Sequence, residues 1–113
     1  MGELKSDQRT RQPPPQGAVC AILRVETLSG KAAEFASLLS DLAHRVRNEE
    51  DGCTSYHVTR AMGSTDHFAV HARFSDWAAF KGHADTPHLK RAMPRLNALL
   101  ASPIAMELYL EVD

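Results

Sequence analysis

The chain has no apolar run approaching the ~20 residues that a membrane-spanning helix needs, so no helical membrane span is expected. Its opening stretch, Met1–Gly17, lacks the apolar core of a secretory signal. There is no excess charge of either sign: 13 Lys and Arg stand against 14 Asp and Glu, a net charge of −1. The basic footprint of a nucleic-acid-binding domain is therefore missing, and the same balance argues against a membrane surface. Cysteine is scarce. Cys20 and Cys53 fall inside predicted strands with no Cys-x-x-Cys pairing, as small buried hydrophobes of a reducing compartment do. The expected location is the cytoplasm. A Gly-rich phosphate loop and a nucleophile-turn motif are also lacking.

What is there fits one domain. A chain of 113 residues has room for a single core with a thin stability margin, which oligomerisation would widen. Hydrophobic residues at 43 % and charged residues at 24 % argue against wholesale disorder. Residues 1–17 are polar, end in a run of prolines and carry no apolar period, so they read as a mobile leader; residues 18–113 form the domain.

Ala18–Glu26 alternates, with Val19, Ala21, Leu23 and Val25 on one face, and reads as a strand. Ser29 and Gly30 open a helix over Lys31–Asn48, whose Phe35, Leu38, Leu39, Leu42 and Val46 form an apolar stripe. Asp51-Gly52 is a turn. Cys53–Arg60 and His67–Phe74 read as strands joined by a hairpin loop at Gly63–Asp66. Ser75 is placed to cap a short helix containing Trp77 and Phe80, and Thr86-Pro87 to open another through Leu89, Met93, Leu96 and Leu100. Pro94 should bend that helix or weaken its first turns. Ile104–Val112 alternates once more and makes a last strand.

The order is β-α-β-β-α-β, the split βαβ pattern of a ferredoxin-like α+β fold with an antiparallel sheet. One face of every strand is apolar and must be covered by the helices. The other carries Cys20, Ile22, Arg24, His71, Arg73, Glu107 and Tyr109, too mixed for a core and too bulky for plain surface. A second sheet against it would bury the apolar part and pair the charges, so a face-to-face homodimer is expected.

These residues resemble a known family. Val19–Val25, Gly30-Lys31, and Glu50-Asp51-Gly52-Cys53 before Tyr56 are similar to the first half of antibiotic-biosynthesis-monooxygenase domains. Phe68–Phe74, Ser75-Asp76, Ala78-Ala79, His83 and Thr86-Pro87-His88 are similar to the second half. The resemblance covers about Ala18–Val112 and rests on order and spacing together. It implies a dimeric α+β barrel with a ligand cleft between helices and sheet in each subunit. It also implies an activity among cofactor-free quinol monooxygenases, heme-degrading monooxygenases or an isomerase of a phosphorylated signalling sugar derivative. Two departures matter. Ala72 and Phe74 stand where relatives often carry a glutamate and a tryptophan. Leu23 and Met93 stand where the heme-degrading branch has its asparagine and its histidine ligand, which disfavours heme.

His83 is the leading candidate for chemistry. It falls at the cleft position the resemblance implies, and imidazole titrates near neutrality, so it could accept a phenolic proton. The competing reading is a histidine that bonds the last carbonyls of its own helix. His88 either shapes the cleft mouth or is a solvated helix-start residue, the expected outcome. His57 and His71 are assigned to the dimer face, and His67 to the surface. His83 and His88 are five apart, which is not the i, i+4 spacing of a helical metal site, and no carboxylate cluster accompanies them, so no metal is expected. Tyr56, Phe74, Phe80 and Met93 would wall an aromatic-binding cleft or simply fill a core, and Trp77 is core or lid. Arg24 and Arg73 should pair across the sheet with Glu26 or Glu107.

The expected function is therefore a cofactor-independent monooxygenase acting on a small aromatic quinol or polyketide-like phenol. His83 is the proton acceptor, with Tyr56, Phe74, Phe80, His88 and Met93 around the substrate. The alternatives are a non-catalytic small-ligand-binding or stress-response dimer of the same fold, or an isomerase of a small phosphorylated metabolite.

Overall fold

Period-two alternation becomes four strands: β1 Val19–Glu26, β2 Cys53–Arg60, β3 His67–Phe74 and β4 Ala105–Leu110. Helical spacing becomes α1 Ala32–Glu49, α2 Trp77–Ala84 and α3 Pro87–Asn97. This is a computed structural model describing residues 15–113, so most of the expected leader, residues 1–17, lies outside the described residues. The strands pair antiparallel in the order β2-β3-β1-β4, and the fold is the ferredoxin-like α+β arrangement. Among the described residues no helix is long and apolar enough to cross a membrane.

Local chemistry fixes the joints. The β2–β3 loop turns through Gly63 at φ +80°, a conformation that a side chain would strain. Asp76, not Ser75, caps α2: its Oδ1 accepts from the Ala79 N–H at 2.8 Å. Thr86 is the residue before α3, but its hydroxyl donates back to the His83 carbonyl at 2.8 Å instead of capping the helix it precedes. Pro87 takes the first helical position, where its missing N–H costs nothing, and α3 runs on through Pro94 to Asn97. Ser29 and Gly30 lie outside α1; the residue that precedes the helix at the N-cap is Lys31, which makes no side-chain cap.

The core forms where the apolar stripe of α1 meets the inner face of the sheet. Phe35, Leu39, Leu42 and Val46 are buried against Ala21, Val25, Tyr56, Phe68, Val70, Ala72 and Phe74. The expectation that the helices cover every strand fails at β4. In register with Leu23, Ala21 and Val19, its Met106, Leu108 and Leu110 lie on the helix-facing side, yet they are 54 %, 40 % and 47 % exposed. On the outer face the charges need no partner sheet, because Arg24 pairs with Glu107 and Arg73 with Glu111 within the chain. Arg73 thus bypasses Glu26 and Glu107, reaching diagonally to a residue beyond the strand. Cys20 and Cys53 are free and only half-buried, so neither is the fully packed hydrophobe that strand placement implied.

Candidate functional site

A cavity of about 380 Å3 lies between the inner face of the sheet and the helices. The sheet supplies Ala21, Tyr56, Ala72 and Phe74 to its wall, and the helices supply Phe80, His83 and Met93. Of the lining side chains, only Tyr56 and His83 carry a polar group. The space falls in the range that small-molecule pockets occupy, about 300–1,000 Å3, and few polar groups in an apolar wall is their usual chemistry. Ala72 leaves room where a larger side chain would fill it.

His83 sits in the last turn of α2. Phe74 and Tyr56 flank its imidazole, with ring centroids 5.3 and 5.9 Å away. Its Nδ1 lies 2.9 Å from both carboxylate oxygens of Glu50. The same carboxylate meets His88 Nε2 at 2.5 Å. The His83, Glu50 and His88 side chains are 13 %, 10 % and 7 % exposed. A carboxylate this sheltered requires charge or hydrogen-bond partners, and the two imidazoles supply them. His83 therefore does not spend its ring on its own helix carbonyls. With Nδ1 engaged by Glu50, Nε2 is its free nitrogen.

His88 overturns the expectation of a solvated helix-start residue, for it is buried. It also lies apart from the cavity: its ring lines a separate groove of about 160 Å3 between α1 and α3, beside Asp41, Arg45, Arg91 and Arg95. Its Nδ1 stands 3.9 Å from Glu49 Oε1. Tyr56, Phe74, Phe80, His83 and Met93 all line the cavity, so the five come together while His88 connects to them through Glu50.

The sequence reading missed Glu50. It stands in the non-helical position that ends α1, 33 residues from His83 and 38 from His88. The fold thus supplies a carboxylate from the α1–β2 turn, although Ala72 leaves none on β3. The turn is held close to α2 by Gly52. A Cβ built there would stand 2.5 Å from the Ala79 Cβ, and the Gly52 carbonyl accepts from Ser75 N–H at 2.8 Å. Glu50 also acts on its neighbours. The Cys53 thiol is pushed up to about 11 by burial first and by the Glu50 charge second. Burial, then the charges of Cys53 and Glu50, hold the Tyr56 phenol protonated far above its ordinary range.

The expectation that His83 and His88 lack a companion carboxylate is thus corrected: Glu50, His83 and His88 place possible ligand atoms within 4.8 Å of one another. Donors around a divalent ion at about 2.0–2.2 Å stand roughly 3 Å or more apart. The 2.9 Å contacts of His83 have the length of charge-assisted hydrogen bonds, and the His88 contact is shorter still. The arrangement is a hydrogen-bonded trio whose His83 member lines the cavity.

Residues 18–95 match the sequence profile of a family described as antibiotic biosynthesis monooxygenase. No curated protein matches the chain in sequence. Among solved structures, the chain is similar to a protein of Caulobacter crescentus CB15 provisionally named an antibiotic biosynthesis monooxygenase. The two superpose with a TM-score of 0.84 at 27 % identity, over 88 % of this chain and 94 % of that one. A Nitrosomonas europaea protein with the same provisional name gives a TM-score of 0.81 at 14 % identity, over 87 % and 94 %. One from Deinococcus radiodurans gives 0.77 at 23 %, over 84 % and 93 %. The last two likenesses speak to fold alone.

Proposed function

Since the chain belongs to the antibiotic biosynthesis monooxygenase family, we propose that it is a cofactor-independent monooxygenase that oxidises a small aromatic quinol or polyketide-like phenol with O2. The observation that carries this reading is the cavity: an apolar space of about 380 Å3 whose polar groups are one imidazole and one phenol.

In this reading His83 Nε2 takes the phenolic proton, and the resulting imidazolium is held by Glu50 through Nδ1. The phenolate is electron-rich at ring carbon, where O2 adds. His83 returns its proton to the peroxide, the O–O bond breaks as the oxygenated ring carbon loses its hydrogen, one oxygen stays on the ring as a carbonyl and the other leaves with both protons as water. One quinol and one O2 thus give one hydroxyquinone and one water. Tyr56 stays protonated, because burial and nearby negative charge oppose its ionisation. It therefore donates a hydrogen bond to the substrate oxyanion and does not compete as the base.

The working assembly in this reading is a homodimer in the cytoplasm. Its support is the uncovered apolar surface of Met106, Leu108 and Leu110 on β4, with Tyr109 at 51 % exposure on the opposite side of the strand. Both sides of β4 gain from a second copy.

The test is oxygen uptake by the purified, metal-free protein over a panel of quinols and anthrone-like phenols. Uptake above autoxidation in the native chain, reduced at least a hundredfold in His83→Ala, is the expected result. Unchanged turnover in that variant would sink the role of His83. Tight binding of the same compounds without uptake would reassign the cavity to ligand carriage.

A further inference from the structure

Glu50 has two imidazoles, and only one of them reaches the cavity. His83 lines the apolar cavity, whereas His88 lines the groove between α1 and α3. A single carboxylate, 10 % exposed, joins the two spaces through contacts of 2.9 and 2.5 Å. One buried carboxylate is balanced by one imidazolium, and a second positive charge in the same sheltered volume is costly. We propose that Glu50 and His88 are a proton exit for His83: a proton gained by His83 in the cavity is matched by one lost from His88 into the groove.

The steps balance without electrons or a co-reactant. In the proposed cycle the trio starts with its extra proton on His88, whose Nε2–H donates to Glu50, while His83 donates Nδ1–H to the same carboxylate. A phenol gives its proton to His83 Nε2, and His88 releases its Nδ1 proton to water in the groove. The trio keeps the same total charge throughout. When His83 hands its proton to the peroxide, His88 takes one back.

The surroundings suit this division. The groove carries the guanidinium groups of Arg45, Arg91 and Arg95 against Asp41 and, beside His88 Nδ1, Glu49. Arg45 is itself paired with Glu49 at 3.2 Å, which leaves Arg91 and Arg95 against Asp41 at the groove through which the proton is exchanged with water. The cavity end faces β2 through Cys53 and Tyr56, whose raised thiol and phenol both remain neutral near pH 7 and neither supply nor trap a proton. Arg47 is taken up by the Tyr56 carbonyl at 2.7 Å. Glu50 and His88 therefore act through His83 and touch no substrate, so they are positioning residues.

This inference extends the oxygenase reading, but its test needs no turnover. In the full chain carrying 15N-labelled histidine, both imidazoles are followed by NMR through pH 4–10. The expected result is a coupled titration, each ring reporting two steps. In His88→Gln, folded by circular dichroism, His83 should show one step, and Glu50→Gln should uncouple the rings. Two independent single-step curves in the native protein, which requires no variant to fold, would overturn the exit. So would one equivalent of transition metal found on the three side chains. Anaerobic addition of 4-nitrophenol with a pH-indicator dye supplies the second readout. Bound phenolate with about one proton released is expected in the native chain. Phenolate with the release cut at least threefold is expected in His88→Gln, and full release there overturns the proposal. Coupled titration together with no oxygen uptake on any quinol would defeat the oxygenase reading while leaving the exit standing.

Discussion

His83 has a different kind of neighbour on each side: aromatic faces from Phe74 and Tyr56, a carboxylate from Glu50, and the cavity. Sequence spacing located the histidine because it ends a short helix with an assignable start. It gave Glu50 no role beyond its place in the Glu50-Asp51-Gly52-Cys53 stretch, since only the fold brings positions 33 residues apart together. His88 was misread for a related reason: helix-start residues are usually solvated, and its burial comes from α1 packing beside it. Cys53 tests the electrostatics of this neighbourhood. Its iodoacetamide reaction should rise with pH to an inflection near 11, not near the ordinary 9.0, because burial and Glu50 both oppose the thiolate. Below pH 9.0 the thiol is protonated in folded and unfolded chains alike; between 9.0 and 11 only the unfolded chain ionises, so stability should fall as pH rises through that window. At Ala72, on the cavity floor, a valine should raise thermal stability by about 0.5–2 kcal/mol by filling space. The same change should weaken phenol binding in calorimetry, and unchanged affinity would place the ligand elsewhere.

At the scale of elements, the strands were legible because one-sided burial imposes alternation, and α1 because its stripe faces one way. The short α2 was harder. It has no buried residue of its own, so no periodic stripe marks its face, and its cap lies one residue later than the serine suggested. Its place is set by contacts that sequence does not display: the Asp76 cap and the approach of Ala79 to Gly52. Gly52→Ala should therefore destabilise the fold by about 1–3 kcal/mol, the usual cost of overpacking, and push α2 and His83 away from Glu50. Asp76→Ala should cost about 1 kcal/mol through the lost cap while leaving the α2–turn distance unchanged. Chemical denaturation compares the two, and the His83 imidazole resonance shows which of them moves the ring. Equal effects on that resonance would mean that Gly52 contributes nothing beyond helix stability.

For the whole molecule, the predicted order of elements and the antiparallel ferredoxin-like sheet are found as expected. The exposed side of β4 is what a single-chain reading overlooked, because an apolar alternation does not say whose helices cover it. If a second copy does so, Leu108→Asp should turn a dimer into a monomer in light scattering at micromolar concentration, with the fold retained. A dimer that survives the change would place the interface away from the helix-facing side of β4. The sheet order has one more effect. β4 pairs with β1 from Val19↔Leu110 to Arg24↔Ala105, and Glu111 N–H reaches the Ala18 carbonyl at 2.9 Å. In synthesis from the N-terminus, β1, β2 and β3 are all made before β4. Until β4 is made, one side of the first strand is therefore bare, a template for another strand.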